Sequence, residues 1–281
     1  MNNSEDNKRV LQKLLIYQPI DIPVFHKVAL RLQQMMNDNS FRIDEVIKLV
    51  NEDTALAAEM LKHANSTYNS GKAPITTIKN AIVRLGSQQV VNLAFTASMA
   101  NSKSDNPVIH THLNNLWHHC HSVAIASAWL SMQVRHDNEI PDIDADEVYL
   151  AGLLHAIGKL YLLKSIDELF KADELQIEHY SIDNIIKEHG TKQGMRVMQH
   201  WNMPEIYINS VERHDSVYWK SGINDHLVAA VRLSCKIHNY INKGIELTET
   251  CEEFDHVKDE LTLLDIDDVT HVYDIVKAIA G

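Results

Sequence analysis

Apolar residues recur at helical spacing along almost the whole chain, and no other feature of the sequence limits its fold so severely. Val28, Leu32, Met35 and Met36 form one such stripe; Val46, Ile47 and Val50 form a second, Ile78, Ala81, Ile82 and Leu85 a third, and Leu227, Val228, Val231 and Ile237 a fourth. A repeat of three and four residues is what a helix with one buried face requires. Alternation with period two is sustained nowhere, which excludes half-buried strands as the main element. Breakers are scarce: 9 glycines and 6 prolines in 281 residues, about half of average usage. The chain is therefore predicted to be all-α, and 45% apolar content is enough to bury a core without disulfide or metal staples.

Helix punctuation supports this reading. Ser87 after Gly86, Asp144 three residues before Glu147, and Thr250 three residues before Glu253 are capping-box candidates. The one convincing break in composition is NSKSDNP, residues 101–107, a polar run whose final proline would stop one helix and open another. It divides the chain into two lobes. No repeat of 20 to 50 residues argues for a solenoid.

Acidic residues outnumber basic ones 38 to 26, for a net charge of −12. That is the wrong sign for steering onto nucleic acid or an anionic membrane surface, and neither is expected as a partner. The uncharged stretch between Asn106 and Val134 holds five histidines and is too polar for a bilayer core. Cys120, Cys235 and Cys251 cannot make a disulfide framework, and MNNSEDNKR lacks the basic-then-apolar order of a signal peptide. The expected location is the cytoplasm. No GxxxxGK[ST], GxGxxG or GxSxG is present, so nucleotide-loop and serine-hydrolase chemistry have no support. Trp117, Trp129, Trp201 and Trp219 fall among apolar helical residues and read as core.

From Ile20 to Gly86 the order and spacing of several residues are informative. Pro23 precedes VFHKVALRLQQMMND; Asp53, Leu56 and Leu61 follow, then Ala64-Asn65-Ser66 with Tyr68, and finally Ile75, Ile78, Ala81, Ile82, Leu85 and Gly86. Together they resemble the opening of the HDOD family, bacterial regulatory relatives of the HD phosphohydrolases. Physically, Asp53 can cap the helix TALAAEMLKHA, and Asn65-Ser66 can end it, because asparagine tolerates the left-handed conformation. Asn65 and Ser66 are also candidates for a recognition surface.

Residues from Leu116 to about Asn239 resemble the HD superfamily, whose enzymes hold a divalent metal with His, a His-Asp pair and a distant Asp. LLHAIGK, residues 153–159, matches the central motif except that Ala156 stands where the metal-binding aspartate belongs. Upstream, WHHCHSVA offers His119 or His121; two residues are about 200° apart on a helix, so only one can face His155. The position of Trp117 favours His119. Downstream, GMRVMQHWNMP and His214 match a stretch that supplies a further histidine in two-metal members; here that position is Gly190, and Asp215 replaces a second histidine after His214. In LVAAVRLSCKIH, Cys235 stands for the last carboxylate. The candidate metal set is thus His119, His155, His214, Asp215 and Cys235, vestigial or rebuilt, with two family aspartates lost.

The resemblance implies the following organisation: a helical extension over 1–19, an N-terminal HDOD lobe over 20–106 packed on a degenerate HD-like lobe over 107–244, and a helical extension over 245–281. It implies a non-catalytic regulatory protein in bacterial signal transduction, with no catalytic residue, no cofactor, and a signalling partner on a separate chain. Lys159 is a candidate contact for a small anionic ligand or a solvated helix-end lysine. The alternative is a metal-dependent phosphohydrolase whose site has been rebuilt around one Zn²⁺ or Mn²⁺.

Overall fold

In a computed structural model, the structure describes residues 27–38, 40–66, 74–133, 144–171, 179–216 and 225–281. The predicted extension over 1–19 and the motif residues Pro23 and Tyr68, with Trp219, lie outside them. Among the described residues every regular element is helical, as the apolar spacing predicts. None of the described helices is long and apolar enough to cross a membrane. The chain forms two compact units, one comprising Pro23–Lys103 with Trp201–Pro204, the other Ser104–His200 with Glu205–Gly281.

The first unit contains α1 (Lys27–Asn37), α2 (Ile43–Asn51), α3 (Thr54–Ala64), α4 (Ile78–Leu85) and α5 (Ser87–Ala100). Leu32, Val46, Met60, Ile82 and Phe95 are fully buried in it, each worth about 1.5–3 kcal/mol of apolar transfer. Asp53 caps α3 as expected, its carboxylate accepting from the Ala55 and Leu56 amides. At the α4/α5 junction the cap differs from the expectation. Gly86 ends α4 and also occupies the N-cap of α5, so Ser87 becomes the first helical residue. The Gly86 φ of +81° suits a residue without Cβ, and one residue serving both ends leaves no room for a separate serine cap.

The second unit contains α6 (Pro107–Gln133), α7 (Ala145–Leu154), α8 (Ile157–Lys171), α9 (His179–His200), α10 (Glu205–Arg213), α11 (His226–Asn242), a 3₁₀ turn (Glu252–His256), α12 (Lys258–Leu263) and α13 (Val269–Ala280). The polar break opens α6 as predicted: Asn106 Oδ1 accepts from the Val108 and Ile109 amides, and Pro107 needs no partner at the first helical position. Asp144 caps α7 through the Asp146 amide. Thr250 does not cap; Cys251 takes the N-cap of the 3₁₀ turn without a side-chain bond, and the Thr250 hydroxyl turns to Thr248.

Helix α6 is the axis of this unit, packing on α7, α8, α11 and α13. Two glycine contacts set the geometry. A Cβ on Gly152 would lie 2.7 Å from the Ala124 Cα, so α6 and α7 touch backbone to backbone. A Cβ on Gly158 would lie 1.8 Å from the Gly190 carbonyl oxygen and 2.3 Å from the Gly194 nitrogen. No side chain fits at that crossing of α8 and α9. The C-terminal segment is held by a buried carboxylate: Glu260 Oε1 accepts from Arg232 Nε and Lys236 Nζ, both at 2.7 Å, and Glu260 and Arg232 are 1% and 2% exposed.

Candidate functional site

The close α6/α7 contact brings His119, about three turns into α6, against His155, which caps the C-terminus of α7. Their Nε2 atoms are 3.0 Å apart. Helix α11 lies alongside and adds Cys235, its Sγ 3.7 Å from His119 Nε2, and His238, its Nδ1 3.0 Å from His119 Nδ1. His214, just beyond α10, sets its ring edge-on to His155 with centroids 4.9 Å apart. The result is a string of four imidazoles, His214, His155, His119 and His238.

The hydrogen bonds assign the tautomers. His155 Nδ1 donates to the Gly152 carbonyl at 2.6 Å, so its Nε2 carries the lone pair. His119 must then donate from Nε2 and accept at Nδ1 from His238, whose Nδ1–H also faces the Asn242 side-chain amide at 3.0 Å, so that amide presents its oxygen there. His214 Nδ1 donates to the Val211 carbonyl at 2.8 Å. Neutral imidazoles satisfy this chain, and burial favours them. Desolvation holds His119 and His155 well below the ordinary histidine value, reinforced by neighbouring histidines and Lys159. Burial, then Lys159, lowers His214 to about 4. Burial also pushes the thiols up, Cys235 to about 11 and Cys120 to about 12.

Lys159 lies in the first turn of α8, directly after the Gly158 crossing. Its side chain runs past Gly190, where a Cβ would come within 3.1 Å of Lys159 Cγ. A side chain at position 190 would therefore displace it. Lys159 and His119 face a cavity of about 410 Å³ whose wall also carries His112, Asn115, Asn239 and Asn242. Across its mouth His112 Nδ1 stands 3.6 Å from Asp183 Oδ1. Among the described residues no ion pair engages the Lys159 ammonium.

The other candidates fall elsewhere. Of the two α6 registers, His119 is in the cluster, while His121 stacks on Trp117 with centroids 4.7 Å apart. Ala156 is buried and offers no donor. Asp215 is exposed and lines a different cavity, of about 450 Å³, with Arg232, Lys236 and Glu260. Asn65 is not left-handed, at φ −101° and ψ 2°. Instead its amide donates to the Leu61 and Ile75 carbonyls and accepts from the Ile75 amide, all at 2.8 Å. That side chain is spent on joining two segments of its own unit, and Ser66 follows it half-buried. His238, Asn239 and Asn242 were not singled out in the sequence, although with Cys235 they occupy positions i, i+3, i+4 and i+7 of α11, which is one helix face.

Among the described residues one group could hold a metal: His119, His155 and Cys235, with ligand atoms within 4.8 Å of one another. It contains no carboxylate. Mg²⁺ and Mn²⁺ prefer oxygen donors, and the nearby ammonium adds positive charge where a cation would need negative. The residues present do not fit the hard divalent ion that the HD resemblance implies.

Comparison with known proteins agrees with this architecture. The sequence model of the HDOD domain matches residues 22–217. A curated relative, an uncharacterized protein of Treponema pallidum (strain Nichols), is 24% identical over 206 residues; the match takes in 70% of this chain, which covers 38% of the relative's length. A candidate metal-dependent phosphohydrolase from Shewanella amazonensis SB2B superposes with a TM-score of 0.67 at 20% identity, covering 99% of this chain and all of its own. An HDOD domain protein from Geobacter sulfurreducens does so at 0.63 and 18% identity over 99% and 98% of the two chains. A candidate signal transduction protein from Marinobacter aquaeolei VT8 gives 0.62 and 18% identity over 99% of this chain and 65% of its own. At these identities the structures share the fold, while the match over residues 22–217 decides membership: the chain belongs to the HDOD family.

Proposed function

We propose that this is a non-catalytic HDOD regulatory protein of bacterial signal transduction, in which the former metal pocket takes a small anionic ligand and the helical frame presents a surface to a signalling partner on another chain. The observation that carries this reading is the charge of the pocket. Two carboxylates are replaced by Ala156 and Cys235, and the remaining imidazoles are engaged with one another and with backbone carbonyls. The one fixed charge on its wall opposite the exposed Asp183 is the Lys159 ammonium. Phosphoryl transfer needs a cation to acidify water and neutralise developing charge; neutral imidazoles and an ammonium supply no bound hydroxide. The same ammonium, in a cavity whose wall also carries Asn115, Asn239 and Asn242, offers what an oxyanion needs.

The test pairs binding with turnover. Titration with inorganic phosphate and pyrophosphate should show saturable binding that Lys159→Met abolishes. A generic phosphate ester with added Mn²⁺ or Zn²⁺ should show no turnover above buffer. Turnover abolished by His155→Ala would overturn the non-catalytic reading in favour of a rebuilt hydrolase, the second reading, which the grouping of His119, His155 and Cys235 supports.

A further inference from the structure

We infer that residues 245–281 dock a basic segment of the signalling partner, one arginine of which enters the cavity of about 450 Å³ lined by Glu260. The inference rests on the regulatory reading and names the chemistry of the partner. This part of the chain lies beyond the HDOD match, which ends at residue 217. Residues 245–281 hold 11 of the 38 acidic residues and 2 of the 26 basic ones, so −9 of the net charge of −12 sits here. Nine of the 11 carboxylates are exposed. The packing does not call for them: the segment is anchored by Leu247, Val257, Leu264, Val272 and Val276, all buried, against α6 and α11. Charge of one sign on a small folded surface repels itself, and a basic partner both relieves that repulsion and is steered by it.

One carboxylate at this surface is left incomplete. Glu260 is 1% exposed, and Arg232 Nε and Lys236 Nζ both donate to its Oε1 at 2.7 Å. Its Oε2 is buried and accepts no hydrogen bond among the described residues. A buried carboxylate oxygen in that state is unfavourable and marks a place where a donor is missing. Glu260 shares the cavity wall with Asp215, Asp255 and Asp259. Asp255 pairs with Lys258; Asp215 and Asp259 are exposed and, among the described residues, form no ion pair. The cations of the wall are committed elsewhere. Arg232 also donates to the Arg213 and Ser216 carbonyls and Lys236 to the His256 carbonyl, while Lys243 is exposed at the C-cap of α11, where the helix end favours a cation. What the cavity still lacks is a group with several N–H donors that can serve Oε2 and a rim carboxylate together. A guanidinium presents its donors in a flat fork that does so, whereas an ammonium is a compact point charge.

Fluorescence anisotropy on the full chain tests this, with a fluorescein-labelled peptide of glycine, serine and several lysines around one central arginine. At about 50 mM NaCl, binding should saturate at one peptide per chain and weaken as salt is raised. Replacing the arginine by lysine, which keeps the charge, should raise the Kd about tenfold, and Glu260→Gln should do the same; combined, the two losses should not add. If Glu260→Gln fails to fold, as judged by circular dichroism, Asp215→Asn with Asp259→Asn takes its place in the same cycle. Asp274→Asn, which removes a charge outside the cavity, should cost less than about threefold. Absence of binding, an equal Kd for the arginine and lysine peptides, or an equal loss from Asp274→Asn and the cavity variant would overturn the inference. Displacement of the peptide by equimolar spermine would assign the surface to a small polyamine and likewise overturn it. The regulatory reading is scored separately, by phosphate binding and turnover.

Discussion

Acidification should destabilise this protein through its imidazole string. His155 is fully buried and His214 is 4% exposed, and His119 sits between His155 and His238. Burial, then neighbouring positive charge, lowers all three below the ordinary value of 6.5, His214 to about 4. Below pH 6.5 the unfolded chain therefore binds protons that the folded chain refuses, so stability is complete above 6.5 and is lost as the pH falls toward the folded values. Each such group costs about 1.4 kcal/mol per pH unit. At pH 5 His214, held to about 4 in the folded chain, costs roughly 2 kcal/mol by itself, and His119 and His155 add to it in the same direction, against the 5–15 kcal/mol that holds a typical domain together. Urea unfolding with a chelator present, at several pH values between about 7.5 and 5, should show the midpoint falling with little change in slope. Proton uptake on unfolding should rise toward the acid end. Stability that is flat or rising as the pH falls from 7 to 5 would refute neutral, mutually hydrogen-bonded imidazoles at this site.

Two further substitutions test the frame. Gly158→Ala places a methyl 1.8 Å from the Gly190 carbonyl oxygen; because the obstacle is backbone, α8 and α9 must separate, costing about 3 kcal/mol or more in chemical denaturation, whereas a loss under about 1 kcal/mol would mean that the crossing is looser than described. Glu260→Gln removes the buried carboxylate that pairs with both Arg232 and Lys236, and a loss of about 3–5 kcal/mol is expected by urea unfolding; a neutral outcome would show that the other contacts of Arg232, the Arg213 and Ser216 carbonyls among them, suffice.

Much of the site could be read in the sequence because the chemistry was written as departures from a pattern. The HD resemblance puts aspartates where Ala156 and Cys235 stand, and that departure argues against a hard-metal centre. The choice between His119 and His121 could be narrowed by helical phase, since both cannot face one point. Asn65 was harder. Its role as a bridge to Ile75 depends on a contact ten residues away, which no local propensity encodes. Asp215 was a reasonable oxygen donor by position, but the chain just beyond α10 turns it outward while its neighbour His214 turns in.

What the sequence determined by itself is the helical class and the break at 101–107, because these follow from residue identity and from local periodicity; the two missing carboxylates are what the resemblance to the HD superfamily implies. Tertiary structure decided the rest. Gly158, Gly190 and Gly194 are unremarkable residues until two helices cross on them and set the path of Lys159. The three donors His119, His155 and Cys235 come from three helices separated by as many as 116 residues. Their meeting, and the ammonium beside them, depends on how closely backbones can approach, a property of pairs of segments that no single segment carries.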